Sequence, residues 1–308
     1  MPATAFPAEP EFPKEQRGRG RVALRYEDVA QDGRMMLGAA PQALGEAVWR
    51  AILRKHPSSA LMREQGVLPI LSRLVVVGGD GPCSVDETLD AIGSYETAAS
   101  LGATGEVERL HLNMWARLEG PRASTFDPQP ARAGERQLVG RVFGEHVFTR
   151  PFAPPSERKV VRLALPGLPE VPEARYVPRT VLEVLTAPPS ATPLDGEPTP
   201  DGVPFVFGVA HTDSNQHVNS LVYPRLFEEA AVRRLALNGV VRPVLAREAE
   251  LLYRKPSFAG EQVRIVLRTF RDGTRYLATG TFVPESALAT AESLAAARPL
   301  CAVRMVLA

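Results

Sequence analysis

Apolar and polar residues alternate through much of the chain. Stretches with strand character are "RVALRYE", "ERLHLNMWARLE" and "RQLVGRVFGEHVF" in the first half. In the second half they are "REAELLYRKP", "EQVRIVLRTF", "RYLATGTFV" and "LCAVRMVLA". Period-two alternation is the pattern of a half-buried antiparallel strand. Asp272-Gly273 between two such runs predicts a hairpin turn. Two other segments carry a helical period. In "LVYPRLFEEAAVRRLALNG" the residues Tyr223, Phe227, Ala230, Ala231 and Leu235 form one stripe. Asn219 or Ser220 is the candidate N-cap, Pro224 falls in the first turn and Gly239 sits at the C-terminal stop. "PQALGEAVWRAILRKH", Pro41 to His56, predicts the second helix, with Leu44, Ala47, Val48, Ala51 and Ile52 on its buried side.

The two halves repeat one order of elements. "RYEDVAQDGRM" precedes the first helix and "AHTDSNQHVNS" the second, pairing Asp28 with Asp213 and Gln31 with Gln216 at an offset of 185 (213 − 28). Downstream, "PILSR" (Pro69 to Arg73) pairs with "PVLAR" (Pro243 to Arg247) at an offset of 174 (243 − 69), which also pairs Pro82 with Pro256 and Glu87 with Glu261. A tandem duplication follows. One helix and four antiparallel strands pack most simply as a curved sheet wrapped round the helix, and two copies can pair edge to edge as a built-in dimer. Proline-rich stretches set the expected boundaries. Residues 1–19 are a disordered arm, 20–165 a first domain, 166–204 a linker or long loop, and 205–308 a second domain. "FDPQPARAGER" (Phe126 to Arg136) is a loop inside the first domain.

Composition removes several function classes. With a formal net charge of +1 and dispersed Lys and Arg, the chain has no electrostatic footprint for nucleic acid. No apolar run reaches the roughly 18 residues of a membrane helix, and the first residues lack the apolar core of a signal peptide. Cys83 and Cys301 fit two buried, reduced thiols of a cytoplasmic protein. No Cys/His spacing indicates a metal, and "VVVGGDGP" (Val75 to Pro82) lacks the spacing of a dinucleotide loop, so no cofactor is expected.

The chemistry concentrates in "HTDSNQHVNSLVY", His211 to Tyr223. Asp213, Asn215, His217 and Asn219 are spaced by two, so an extended segment would point all four to one side. A helix N-terminus follows, where free N–H groups and the dipole favour an oxyanion. An imidazole ordinarily titrates near neutrality, so His217 can serve as base and then acid. Asp213 can take a proton or orient the imidazole, Asn215 can orient a water, and the N–H groups of Val218 and Asn219 can face the developing charge. The competing reading of Asp213 and Asn215 is turn and helix capping. His211 reads as a histidine satisfied by backbone, and Tyr223 as core with its hydroxyl near the pocket.

The motif "D-x-N-x-H-V-N" running into a "Y…E" helix, followed by "LLYRKPSFAGEQVRI" (Leu251 to Ile265), resembles the hot-dog-fold acyl thioesterases of the 4-hydroxybenzoyl-CoA thioesterase-like superfamily. The closest likeness is to the double-hot-dog acyl-acyl-carrier-protein (acyl-ACP) thioesterases. It is strong over Val209 to Leu267 and only topological in the first half. The resemblance implies an α+β tandem hot-dog fold and hydrolysis of an acyl-ACP or acyl-CoA thioester in fatty-acid or polyketide biosynthesis. Its partners would be the carrier protein or coenzyme A, and the pseudo-dimer could associate further as a homodimer. Asp213, Asn215 and His217 map onto the family's catalytic set. The family's acidic residue and cysteine after the next strand are replaced by Pro256 and Ser257. Glu229 is a weaker candidate for the missing acid, although Arg233 four residues on equally suits an ion pair. Arg254 and Lys255 are candidates for substrate phosphates, or a solvated basic pair. At the offset of 185 the first half places Ala30 opposite Asn215 and Asp32 opposite His217, so one working site per chain is expected, with the first copy lending it a wall and much of the acyl pocket. A non-hydrolysing acyl-binding or acyl-transfer protein is the alternative. A hot-dog hydratase is disfavoured, because its histidine lies five residues after the aspartate rather than four.

Overall fold

The structure, a computed structural model, describes residues 6–163, 165–169, 171 and 176–308. The chain divides into two compact units, Phe6–Pro178 and Arg179–Ala308. Each is α+β, and each repeats the hot-dog arrangement of one helical segment set against a long antiparallel sheet, as the duplicated pattern predicts.

The first unit begins with β1 (Arg17–Ala23). Helical turns follow: α1 (Gln42–Leu44), which runs on into a π-helical stretch at Gly45–Arg50, then α2 (Pro57–Glu64). The strands β2 (Leu68–Gly78), β3 (Thr88–Leu101), β4 (Val107–Pro121) and β5 (Arg136–Thr149) complete it. They are ordered β1-β3-β4-β5-β2, every pair antiparallel. The predicted continuous helix from Pro41 to His56 is thus broken into α, π and 3-10 turns. Ala43, Leu44, Ala47, Val48 and Leu53 are its buried residues, while Ala51 and Ile52, expected on the buried side, are half-buried because the break in the helix turns the stripe. The helix lies so close to the strands that a Cβ on Gly18 would fall 2.0 Å from the carbonyl oxygen of Ala47, and one on Gly93 2.7 Å from Val48. Only glycine permits that approach.

The second unit opens with α3 (Val181–Leu185) and three two-residue strands, β6 (Thr192–Pro193), β7 (Thr199–Pro200) and β8 (Phe205–Val206), all paired to the strand at Gln262–Asp272. Next come α4 (Val222–Leu237), β9 (Ala246–Tyr253), β10 (Gln262–Asp272), β11 (Arg275–Pro284), α5 (Ala291–Ala296) and β12 (Cys301–Leu307). The sheet runs β9-β12-β11-β10. The Asp272-Gly273 hairpin forms with Gly273 at φ +61°. In α4 the predicted stripe Tyr223, Phe227, Ala230, Ala231 and Leu235 is buried, and Gly239 ends the helix at φ +82°.

The unit boundary, and the ends of the arm and linker, differ from the composition-based expectation. The arm is not a free tail to residue 19. Phe12 packs with Val75, Trp115 and Phe143, the Trp115 indole donates to the Pro7 carbonyl (3.2 Å), and β1 already starts at Arg17. The expected linker is shared out. Its first part belongs to the first unit, where Tyr176 donates to Glu145 (2.5 Å) and Thr97 to the Pro169 carbonyl (2.9 Å). Its second part belongs to the second unit. Val184 of α3 packs on Leu252 and Ala302, and Arg304 donates to the Val184 carbonyl (3.0 Å). The Asp195 carboxylate accepts from the amide (2.8 Å) and hydroxyl (2.9 Å) of Thr269 and meets Arg234 (3.4 Å), clamping the edge strands to β10. Proline-rich composition does not exclude ordered contacts among the described residues of these stretches.

His146, on the helix-facing side of β5, stands edge-on to Trp49 at 5.8 Å. Burial pulls its imidazole down to about 4, and burial likewise lowers His111. The unfolded chain therefore takes up these protons before the folded one. Stability from His146 is complete above about pH 6.5 and is lost as pH falls toward about 4, roughly 3 kcal/mol in all. His146→Leu is expected to flatten the acid limb of a urea-denaturation stability profile measured from pH 7 to pH 4. An unchanged limb would show that His146 does not titrate this way.

Candidate functional site

The loop before α4 is built from short-range hydrogen bonds. Val209–His211 forms a 3-10 turn, and Thr212 then bridges antiparallel to Val218. Between them the chain reverses. The Asp213 amide donates to the His217 carbonyl (3.0 Å), the Gln216 amide to the Asp213 carbonyl (2.9 Å), and the Asn215 amide to Asp213 Oδ1 (2.8 Å). Gln216 takes a left-handed φ of +64° to close the turn. This corrects the expected extended segment. Asp213, Asn215, His217 and Asn219 do not share one side through strand alternation, because Asp213 to Gln216 is an Asx-stabilised turn. A local donor satisfied at each step wins over extension in a run of short polar side chains.

Asp213 is half-buried, while Asn215 and His217 are exposed. The Asp213 carboxylate holds the turn through the Asn215 amide, and among the described residues the His217 side chain has no hydrogen bond. Its ring instead lies edge-on to Phe258, 5.1 Å between centroids. His211 is satisfied by backbone, as expected, with Nδ1 accepting the Gly208 amide (2.8 Å). That bond leaves Nε2 as the protonated nitrogen of the neutral ring. Phe205 packs against it at 5.1 Å.

The expected oxyanion donors are already occupied. The Val218 amide donates to the Ser257 carbonyl (2.8 Å) and the Asn219 amide to the His211 carbonyl (2.8 Å). Asn219 also caps the start of α4, its Oδ1 accepting the Leu221 amide (2.9 Å). In the first turn of α4 the Val222 amide donates to the Asn219 carbonyl (3.0 Å), and Pro224 has no amide hydrogen to offer. Tyr223 is core, surrounded by Phe207, Tyr253 and Phe282, and burial pushes its phenol up to about 12. Ser257 is fully buried beside that phenol.

Glu229 is not brought to the loop. Its side chain is 66% exposed and pairs with Arg233 at 3.8 Å, the i,i+4 arrangement. The helix carboxylate turned towards the sheet is the half-buried Glu228, which accepts the Ala246 amide (2.7 Å). Burial raises its pKa, against the pull of that bond and of Arg247. Its spacing of four from Pro224 and three from Ala231 would have placed it on the buried stripe. Phe258, which shapes the surroundings of His217, carries no sequence signal beyond being an apolar residue in a turn. Arg254 and Lys255 are exposed and have no ion pair among the described residues, in keeping with a solvated pair.

The first unit repeats the main-chain frame of this loop. Its Val29–Met35 bridge matches Thr212–Val218. The Ala30 amide meets the Arg34 carbonyl (2.7 Å), the Gly33 amide meets the Ala30 carbonyl (2.8 Å), and Gly33 takes φ +80°. The structural offset is therefore 183 (216 − 33), not 185. Asp32 stands opposite Asn215, Arg34 opposite His217, Ala30 opposite Asp213, and Asp28 opposite His211. Burial works to raise the Asp28 carboxyl, but the hydrogen bonds from Arg25 outweigh it and hold it low.

No protein-family model matches the sequence, and no curated protein matches it. Solved structures do share the fold over nearly the whole chain. An acyl-ACP thioesterase from Bacteroides thetaiotaomicron superposes with a TM-score of 0.55 at 13% identity, covering 96% of this chain and 99% of the other. The 12:0-ACP thioesterase from Umbellularia californica gives 0.53 at 12% identity, covering 98% and 99%. At such identities the likeness establishes the double hot-dog fold.

Gln216 is a non-glycine residue in a conformation that its counterpart Gly33 adopts freely. Gln216→Gly is expected to raise unfolding stability by about 0.5–1 kcal/mol, read by chemical denaturation. A loss of stability would show that the Gln216 side chain contributes more than its backbone costs.

Proposed function

We propose that the protein is an acyl thioesterase that hydrolyses an acyl-ACP or acyl-CoA thioester at the Asp213–His217 turn. The observation that carries this reading is an exposed imidazole, His217, presented by a rigid turn at the N-terminus of α4. The fold is shared with structures whose own descriptions name acyl-ACP thioesterases. His217 takes the proton of the attacking water and returns it to the departing thiolate. Asn215, exposed on the same turn, orients that water, and Asp213 holds the turn in shape through its bond to the Asn215 amide. The oxyanion of the tetrahedral intermediate is met by the positive end of the α4 dipole, in place of the amides of Val218 and Asn219. Arg254 and Lys255, exposed at the end of β9, are free to meet a phosphate of the thioester's carrier arm. No cofactor takes part.

Among the described residues no carboxylate meets the His217 ring, which favours one second reading, in which the same turn binds an acyl thioester without hydrolysing it, or passes the acyl group to another acceptor. Thiol release from a panel of acyl-CoA and acyl-ACP thioesters separates the two. Wild type is expected to release thiol, and His217→Ala to lose about two or more orders of magnitude in kcat/KM with unchanged circular dichroism. Bound acyl thioester with no release by wild type would refute hydrolysis.

A further inference from the structure

Three sequence segments with no role in the proposed chemistry meet in the first unit. They are the "AQDGR" turn that replaces the His217 loop there, the "GGDGP" turn after β2, and the "FDPQPARAGER" loop between β4 and β5. Together they enclose a cleft of about 500 Å³, within the ordinary range of small-molecule sites. Asp32 and Arg34 come from the first, Asp80 and Pro82 from the second, and Phe126 and Asp127 from the third. Arg122 lines the cleft from the end of β4.

The long loop is ordered by its own bonds, which is uncommon for a connection of this length without a binding role. Arg122 bonds the Glu135 carbonyl through its amide (2.7 Å) and the Ala131 carbonyl through Nε (2.8 Å). Asp127 Oδ1 accepts the Gln129 amide (3.0 Å). Gln137 ties this loop to the "GGDGP" turn, donating to the Pro82 carbonyl (2.7 Å) and accepting from Arg122 (3.3 Å). The loop holds Phe126 80% exposed at the cleft. An aromatic ring left in water on a stapled loop is an unfilled stacking surface.

The chemistry of the lining selects the ligand. Asp32 and Arg34 lie 3.7 Å apart and offset each other, leaving Arg122 against Asp80 and Asp127. That balance is negative and repels polyphosphates and carboxylates. Among the described residues there is no group of three metal-ligating side chains. Only Pro82, Phe126 and Pro130 are apolar, too few to take an acyl chain. A hydroxyl-rich ring satisfies all of this. Its hydroxyls donate to the carboxylates and accept from the guanidinium, while its C–H face packs on Phe126. We propose that the first unit carries a binding site for a saccharide or cyclitol, with Phe126 as the platform and Asp80, Asp127 and Arg122 as the hydroxyl partners. It is separate from the thioester chemistry and does not rest on it.

Saturation-transfer NMR on the full chain tests this, with methyl hexosides, glucosamine and inositol as probes and ATP and decanoate as controls. At least one ring polyol is expected to receive saturation on its ring hydrogens. Phe126→Ala and Asp80→Asn, both at exposed positions, should each weaken its binding about tenfold, or roughly 1.4 kcal/mol, without lowering the melting temperature. The proposal is overturned if no polyol receives saturation, if binding survives in the double variant, or if ATP or decanoate occupies the cleft in preference.

Discussion

Packing of α4 against its sheet is the contact on which the second unit depends. Tyr223, Phe227, Ala230, Ala231 and Leu235 leave water together, and the rings of Tyr223 and Phe227 both meet Phe282 of β11. Burying a side chain of that size contributes on the order of 1.5–3 kcal/mol, so the stripe fixes the helix axis more firmly than any single polar bond. Once the axis is fixed, the N-terminus of α4 is fixed too. Tyr253 reaches back from β9 to the Ser220 carbonyl (2.9 Å), and Ser257 receives the Val218 amide, so the loop is tied to the strands on both sides of its end. The candidate chemistry is thus a by-product of where a hydrophobic stripe had to go.

Elements governed by periodicity were legible in the sequence. The α4 stripe, its glycine stop, the Asp272-Gly273 hairpin and the strands β4, β5 and β9 to β12 follow from spacing, because burial acts on every residue of the pattern at once, whereas β3 was not among the expected strands. The duplication was legible for the same reason, yet its letter matches misled. "PILSR" and "PVLAR" look equivalent, but Arg73 lies over the ring of Phe143 on the face covered by Phe12, while Arg247 faces α4 beside Glu228. The two arginines point to opposite sides of their sheets. A one-residue change of register does this in a strand, and identical letters cannot report it.

The loop failed as a sequence reading for a related cause. Spacing by two has meaning only if the backbone is extended, and nothing in "DSNQH" enforces extension. Aspartate, serine and asparagine each offer the backbone a local partner, and one left-handed residue is enough to close the turn. Gln216 accepts that conformation where most residues would not, so the sign of its φ was invisible beforehand. The same turn in the first unit has glycine, and a comparison through Gly33 rather than through the two aspartates would have found the true offset. The donors misassigned at Val218 and Asn219 share this origin: in a turn, amides that an extended strand would leave free are used up.

The two loops show how separable frame and chemistry are. Both copies keep the bridge, the reversed turn and the left-handed residue, so the frame is held by main-chain bonds that tolerate almost any side chain on the turn. On that frame the second copy exposes Asn215 and His217, uncharged or titratable groups suited to moving a proton. The first copy carries Asp32 and Arg34, an offsetting pair that cannot pass a proton near neutrality because a guanidinium does not release one. All three positions of the candidate set differ between the copies, Ala30 for Asp213, Asp32 for Asn215 and Arg34 for His217, while the main-chain turn is kept, so the side chains on this turn can change without loss of its structure.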